Sequence, residues 1–303
     1  MQTVEGATGH ALLGSSPAMQ AVLAQIAQLA AMPWRVRIEG ASGTGKRCAA
    51  QMLHALSTRA RKPFVRCNLN MIADGREHAE LVGWVRGAFT GAIGDHAGDF
   101  EAAHEGILFL DEVAVATPKV QLALLQLVDE GIVRRIGDHR ARRVDVRVIC
   151  ATNVTLEDEV TAGRFREDLY FRMGTHVVRM PALIEHREDI PEIVEETLAH
   201  KQREAGMAAR SLSTEELERL RTYDWPGNVR ELENVMEHFV TWGSLPEGLL
   251  SNPARGTWRR HVDDTLTRYQ GNKAAAARAL GVSRQTLYQE LERRQSRALV
   301  IEV

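Results

Sequence analysis

The chain has 303 residues, 44% of them hydrophobic, enough to bury a core in one large domain or two to three smaller ones. Its formal net charge of −2 predicts no general attraction to nucleic acid, but the balance is uneven along the chain. The most apolar early stretch, Ala21 to Trp34, is interrupted by Gln25 and Gln28, which predicts an amphipathic helix rather than a membrane span. With no charged start followed by an apolar leader, the expectation is a cytoplasmic protein with no membrane partner. Cys48, Cys67 and Cys150 are odd in number, far apart and without metal-ligand spacing, so they are expected to be small buried side chains.

In chain order, residues 1–13 form a short tail. From 14 to 180, strand-like runs at Val36 to Glu39, Phe64 to Cys67, Ile107 to Leu110 and Val146 to Ala151 alternate with helical patterns, among them Cys48 to Leu56. That alternation predicts an α/β fold built on a parallel sheet. Residues 181–242 turn helical, with Leu217, Leu220, Leu232 and Val235 at helix spacing and Pro226-Gly227 as a turn, which predicts a separate helical lid. Residues 243–256 have the proline, glycine and serine content of a linker. Residues 257–297 form a small all-α module, and between Arg255 and Arg297 ten lysines and arginines face four carboxylates, a net +6.

Three motifs carry chemistry. Gly40-Ala41-Ser42-Gly43-Thr44-Gly45-Lys46 follows a strand and opens a helix, the context of a phosphate loop. Its glycines let backbone N–H groups turn toward phosphate oxygens, the helix N-terminus adds a favourable dipole, and Lys46 would reach the terminal phosphates. Lysine is scarce, with Lys62, Lys119, Lys201 and Lys273 the only others, so its retention at 46 suits a cradle that needs a compact ammonium. Next, Gly87-Ala88-Phe89-Thr90-Gly91-Ala92 sets small residues around one aromatic ring and one hydroxyl, a poor core segment and a good contact loop. Finally, Ile107 to Leu110 delivers Asp111 and Glu112 at a strand's C-terminal end, where ligands of open α/β sheets bind. Read alone, this is more readily a core strand ending in a solvated acidic turn. With the phosphate loop upstream, Asp111 suits Mg2+ coordination through water, and Glu112 suits polarising an attacking water for ATP hydrolysis.

With these residues in place, the chain from about Gly14 onward resembles the AAA+ activators of sigma-54 RNA polymerase, the bacterial enhancer-binding proteins. Gly87 to Ala92 matches that family's GAFTGA signature without a change. The resemblance implies an ATP-hydrolysing activator that binds enhancer DNA, assembles as a homo- or hetero-hexameric ring and remodels the sigma-54 polymerase closed complex, with Phe89 and Thr90 as contact residues. It also implies that Asn68 restrains Glu112, that Thr152 and Asn153 form a first sensor of the γ-phosphate, and that Arg166 and Arg172, in Phe165 to Arg172, act on a neighbouring subunit's nucleotide. The same resemblance implies that Arg230, in Trp225 to Leu232, is the second sensor. Read singly, a Thr-Asn after a strand is a turn or cap and a helix arginine is solvated.

The C-terminal stretch has helix-turn-helix proportions. Gly281 suits the turn, and Ala276, Leu280, Val282, Leu287 and Leu291 would pack the helix pair. Lys273, Ser283, Arg284, Gln285, Thr286 and Tyr288 are the DNA-binding candidates, and a helical hairpin for protein contact is the alternative. The module resembles the Fis-type domain of the same activators.

Departures from the family are Arg47 after the loop lysine, Ala41 for an acidic residue, Glu105 for a glycine before the Asp-Glu strand, and Ile184 and His186 where arginines are usual. Arg47 motivates an alternative, a DNA-bound regulatory subunit that binds ATP poorly and acts through assembly. Because no sensory domain fits in residues 1–13, the expectation is activity without phosphorylation, with control by expression level, a second subunit or a separate inhibitor protein.

Overall fold

The computed structural model describes residues 12–246 except 71, 73–75 and 175, together with isolated positions from 262 to 291. The chain divides into two compact units, one containing Gln20–Ala41 and Gly45–Met180, the other Leu13–Met19, Ser42–Thr44 and the residues from Pro181 on. No described helix is long and apolar enough to cross a membrane.

The elements run in the order α1 (Pro17–Ala30), β1 (Val36–Glu39), α2 (Lys46–Ala55), β2 (Phe64–Asn68), α3 (Glu77–Val82), β3 (Gly83–Trp84), β4 (His96–Ala97), α4 (Asp99–Ala102) and β5 (Ile107–Asp111). There follow α5 (Pro118–Glu130), β6 (Ile132–Val133), β7 (Arg142–Arg143), β8 (Arg147–Thr152), α6 (Leu156–Thr161), α7 (Glu167–Arg172) and β9 (His176–Arg179). Five strands form one parallel sheet in the order β2-β5-β8-β1-β9, as the alternation of strand and helix patterns predicted. With side chains alternating between the two faces, β5 buries Ile107 to Leu110 and β8 buries every position, whereas Phe64, Val65 and Val177 on the outer strands β2 and β9 are half-buried. On β5, Ile107 and Phe109 join the core formed with α1 and α2, whereas Leu108 and Leu110 join the core beneath α5. On β8, Ile149 and Ala151 take the first core and Val148 and Cys150 the second.

A strand so enclosed tolerates a charge only with partners. Arg147 begins β8 at 3% exposure, and its guanidinium donates to the carbonyls of Leu29, Ala30 and Trp34, closing the C-terminal end of α1. Cys67 and Cys150 are buried, and burial pushes the Cys150 thiol up to about 12, so both are core residues as expected. Cys48 departs from that expectation: it lies on α2, whose fully buried positions fall at Ala49, Ala50 and Leu53, and is only half-buried.

In the second unit, a 3₁₀ segment (Leu183–Asp189) leads into α8 (Ile190–Ala205), α9 (Thr214–Thr222) and α10 (Asn228–Trp242). Leu220, Leu232 and Val235 lie in their shared core, and Leu217 packs on it. Ser213 starts α9 through a reciprocal cap with Glu216, and Gly206 and Gly243 end α8 and α10 in the left-handed conformation. Asp189, fully buried, accepts hydrogen bonds from Ser15 N–H, Ser16 N–H and the Ser16 hydroxyl and so ties the start of the unit to its 3₁₀ segment. In the C-terminal stretch, Val262, Ala276, Ala277 and Leu287 cluster, with Leu266 and Leu291 packed on them. Leu280, Val282 and the DNA-binding candidates Ser283, Arg284, Gln285, Thr286 and Tyr288 lie outside the described residues; Lys273 is described and exposed.

Candidate functional site

Parallel register brings the sequence candidates to one edge of the sheet. Asn68 pairs with Asp111 and Glu39 with Thr152, so β1, β2, β5 and β8 end level and hand Gly40, Asn68, Asp111 and Thr152 to the same side. The Lys46 ammonium, 7% exposed, donates to the carbonyls of Gly40 and Ala41 at 2.8 and 3.1 Å and stands 3.9 Å from the Glu112 carboxylate. Gly45, at φ +89, turns the chain into α2, and Arg47 on the first turn of that helix is exposed. Asp111 accepts from Arg66 at 2.9 Å. Glu112 has a left-handed backbone, φ +59, and its carboxylate accepts from the Asn153 N–H at 3.3 Å. A non-glycine residue in that region is a small store of strain of the kind found at working sites.

Not every candidate meets another. The Asn68 amide oxygen turns back to accept from Asn70 N–H. The Thr152 hydroxyl, fully buried, bonds both the N–H and the carbonyl of Val154, the local turn that such a residue forms after a strand. Asn153 therefore reaches the Glu112 carboxylate through its backbone, and Thr152 shapes the turn that precedes Val154.

Ser42–Thr44, the centre of the phosphate loop, belong to the second unit and are held within it. Asn228, 3% exposed and at φ +53, donates its amide to the Ser42 carbonyl and accepts from Leu183 N–H, both at 2.9 Å. Arg230 donates to the Ser42 hydroxyl at 2.8 Å. A Cβ on Gly43 would stand 2.2 Å from the Gly227 carbonyl, so glycine is required there by space as well as by its φ of +82, and Thr44 beside it is buried. Glu231 receives Gly227 N–H and the Tyr223 hydroxyl, and burial pushes its carboxyl up to about 7.

The loop Gly87 to Ala92 rises between β3 and β4. Gly87 and Gly91 adopt φ +81 and +101, and a Cβ on either would meet nothing, so backbone conformation alone selects glycine. Ala92 is buried, Ala88 half-buried, and Thr90 and Phe89 are exposed. Phe89 meets Trp84 edge-on at 5.5 Å, and Trp84 stacks on His96 at 4.1 Å. Ile93, 87% exposed, extends the apolar tip beyond the hexapeptide.

Arg166 and Arg172 bound α7. The first pairs with Asp168 through two nitrogens, at 2.9 and 2.6 Å, and the second with Asp129 at 3.1 Å. Both side chains, and Phe171 beside them, face solvent. Gln121, 1% exposed, was not singled out from the sequence: its amide donates to the carbonyls of Ala116 and Arg164 and accepts from Arg166 N–H, which sets where α7 begins. Its one sequence signal is a polar residue on the buried stripe of α5. Of the departures, His186 is buried against Asp189 at 2.9 Å, so it serves the second unit's core, and Ile184 is half-buried. Glu105 sits at φ +61, where glycine would be unstrained, and pairs with Lys62. Among the described residues no group of three or more His, Cys, Asp or Glu could hold a metal by itself.

Residues 12–179 match the sigma-54 interaction domain, 184–248 an AAA+ ATPase lid domain and 259–293 a bacterial regulatory protein domain of the Fis family. The chain belongs to the sigma-54-dependent transcriptional regulators. It is 37% identical to the transcriptional regulatory protein ZraR of Salmonella typhimurium over 93% of its own length and 68% of that protein's. It is 43% identical to the response regulator PilR of Pseudomonas aeruginosa over 78% of its own length and 53% of the relative's. NtrX from Brucella abortus, solved in complex with ADP, superposes with a TM-score of 0.72 at 32% identity, covering 94% of this chain and 69% of that one. The family and the AAA+ parallel-sheet fold implied by the sequence motifs are thereby established for this sigma-54-dependent activator.

Proposed function

We propose that this activator binds and hydrolyses ATP, assembles as a homo- or hetero-hexameric ring on enhancer DNA, and uses the Phe89 loop to remodel the sigma-54 polymerase closed complex into the open one. The observation that carries the reading is that one compact unit joins the Lys46–Glu112 pair, 3.9 Å apart beside Asp111, to a loop that exposes Phe89 and Thr90. The solved NtrX complexes with ADP and ATP support nucleotide as the ligand.

In this reading Gly40 to Lys46 cradle the phosphates, and the Lys46 ammonium exchanges loop carbonyls for phosphate oxygens. Glu112 takes the attacking water's proton, with Asn68 and Asn153 governing its position. Mg2+ arriving with ATP would neutralise phosphate charge, with Asp111 meeting it through water and Arg47 offering it no oxygen. Arg230 binds phosphate as second sensor. Arg166 and Arg172 exchange Asp168 and Asp129 for a neighbour's γ-phosphate, which the exposure of both arginines permits. The Fis-type module, with Lys273, Ser283, Arg284, Gln285, Thr286 and Tyr288 as contact residues, supplies enhancer binding. The regulatory-subunit alternative rests on Arg47, which is exposed on the first turn of α2.

The test is phosphate release by the full chain with ATP and magnesium, with and without enhancer DNA. Glu112→Gln is expected to bind ATP and lose at least about 10²-fold in turnover, while Thr90→Ala keeps turnover and loses open-complex formation. Undiminished hydrolysis by Glu112→Gln, or normal open complexes with Thr90→Ala, would remove the corresponding assignment.

A further inference from the structure

Residues 131–144 carry Arg134, Arg135, Arg140, Arg142 and Arg143 against a single carboxylate, Asp138. The short ribbon of β6 and β7 sorts these arginines by face. Arg142 lies opposite Val133, which is buried, and is neutralised by Asp138 at 2.7 Å and Glu101 at 3.7 Å; Arg135 is held by Glu101 through two nitrogens, at 2.7 and 2.6 Å. Arg143 lies opposite Ile132, and Arg134 follows Ile132 by two residues, which puts both on the other face. Arg134, Arg140 and Arg143 are exposed and make no ion pair with any described residue. His139 is exposed beside them, as is Arg86 at the foot of the Phe89 loop.

The segment is joined to that loop. Val85 N–H donates to the Ile136 carbonyl at 3.1 Å and Ile136 N–H to the Gly83 carbonyl at 2.9 Å. Gly137, at φ +78, approaches so closely that a Cβ there would stand 2.9 Å from Ala88. The cationic face therefore travels with the exposed loop.

What such a face would bind follows from what it lacks. Its exposed positions are Arg134, Gly137, His139, Arg140, Ala141 and Arg143, with every valine and isoleucine of the segment buried or half-buried. A protein partner needs an apolar anchor at the centre of its contact, whereas a polyanion needs only unpaired cations at a surface. We propose that residues 131–144 form a docking surface for the phosphates of duplex DNA, separate from the C-terminal helix-turn-helix module and set beside the loop that bears Phe89. Arg134, Arg140 and Arg143 supply the contacts, without base readout and without need of ATP turnover, so the surface stands or falls independently of the ATPase reading.

The test uses the full chain and a labelled 40-base-pair duplex of arbitrary sequence, with anisotropy followed over a KCl series. Substituting Arg134→Gln, Arg140→Gln and Arg143→Gln together is expected to lower the slope of log K against log salt by about 2–3, because each lost phosphate contact removes about 0.9. The corresponding triple lysine substitution should restore the slope, and the glutamine variant should keep wild-type phosphate release. If the triple variant fails to fold, Arg140→Gln alone, on the exposed loop, should lower the slope by about 1. An unchanged slope in a folded variant overturns the proposal. If that variant instead loses DNA-free binding to sigma-54, the arginines serve an acidic protein segment.

Discussion

Arg47 follows the phosphate-loop lysine where a hydroxyl or a carboxylate is usual, and its exposure on the first turn of α2 decides between two effects of a second cation. Drawn into the cradle, it would compete with Lys46 for oxygens; standing in water, it leaves the metal's shell to solvent. A working but slow ATPase is the expected outcome, with Arg47→Glu and Arg47→Thr altering magnesium dependence more than ATP affinity in a titration of phosphate release. No turnover by wild type at any magnesium concentration, with rescue by either substitution, would favour the regulatory-subunit alternative. Glu105 is a residue of a different kind, an exposed side chain on a left-handed backbone. Glu105→Gly is expected to raise the melting temperature by about 2–4 °C, since glycine removes the Cβ clash, and calorimetry checks it.

At the scale of elements, α10 begins with a carboxyl placed where water cannot reach it. Glu231, 2% exposed, holds Gly227 N–H and the Tyr223 hydroxyl, and so braces the turn from which Asn228 and Arg230 reach Ser42. The folded chain keeps this proton up to about pH 7, whereas an exposed carboxyl of usual value 4.5 has released it, so folding takes up a proton between those values. Stability from this group is full at low pH and falls as pH rises through the window, by up to about 3 kcal/mol. Glu231→Gln, which keeps an acceptor for Gly227 N–H and cannot ionise, is expected to flatten the decline in melting temperature from pH 5 to pH 8. A decline as steep as that of wild type would place its origin elsewhere.

At the scale of the whole molecule, the positions of Arg166 and Arg172 matter most. Each is paired with a carboxylate of its own chain and exposed, on a helix whose start is set by Gln121. In the proposed ring, these two arginines and the nucleotide they would serve belong to different subunits. Arg166→Ala and Arg172→Ala are each expected to lose about 10³-fold in hydrolysis, and mixing either with Lys46→Ala subunits to restore part of it. If every mixture stays inactive while rings still assemble, these arginines act within their own chain or not on nucleotide at all.

The parallel α/β unit, the phosphate loop, the Asp111–Glu112 pair and the Phe89 loop were legible without coordinates, because each depends on local chemistry: strand period, glycine freedom and a lysine in a lysine-poor chain. Glu105 was legible as a departure, and only its φ showed what glycine does at that position. Tertiary structure decided matters that join distant residues. It showed that Thr152 spends its hydroxyl on its own turn, that Gln121 starts α7, that Asn228 holds Ser42, and that two of the five arginines in residues 131–144 pair with carboxylates while three make no ion pair with any described residue. Local pattern sets which backbone a segment adopts. Which buried polar group finds which partner depends on how the whole chain packs, and a linear sequence does not contain those distances.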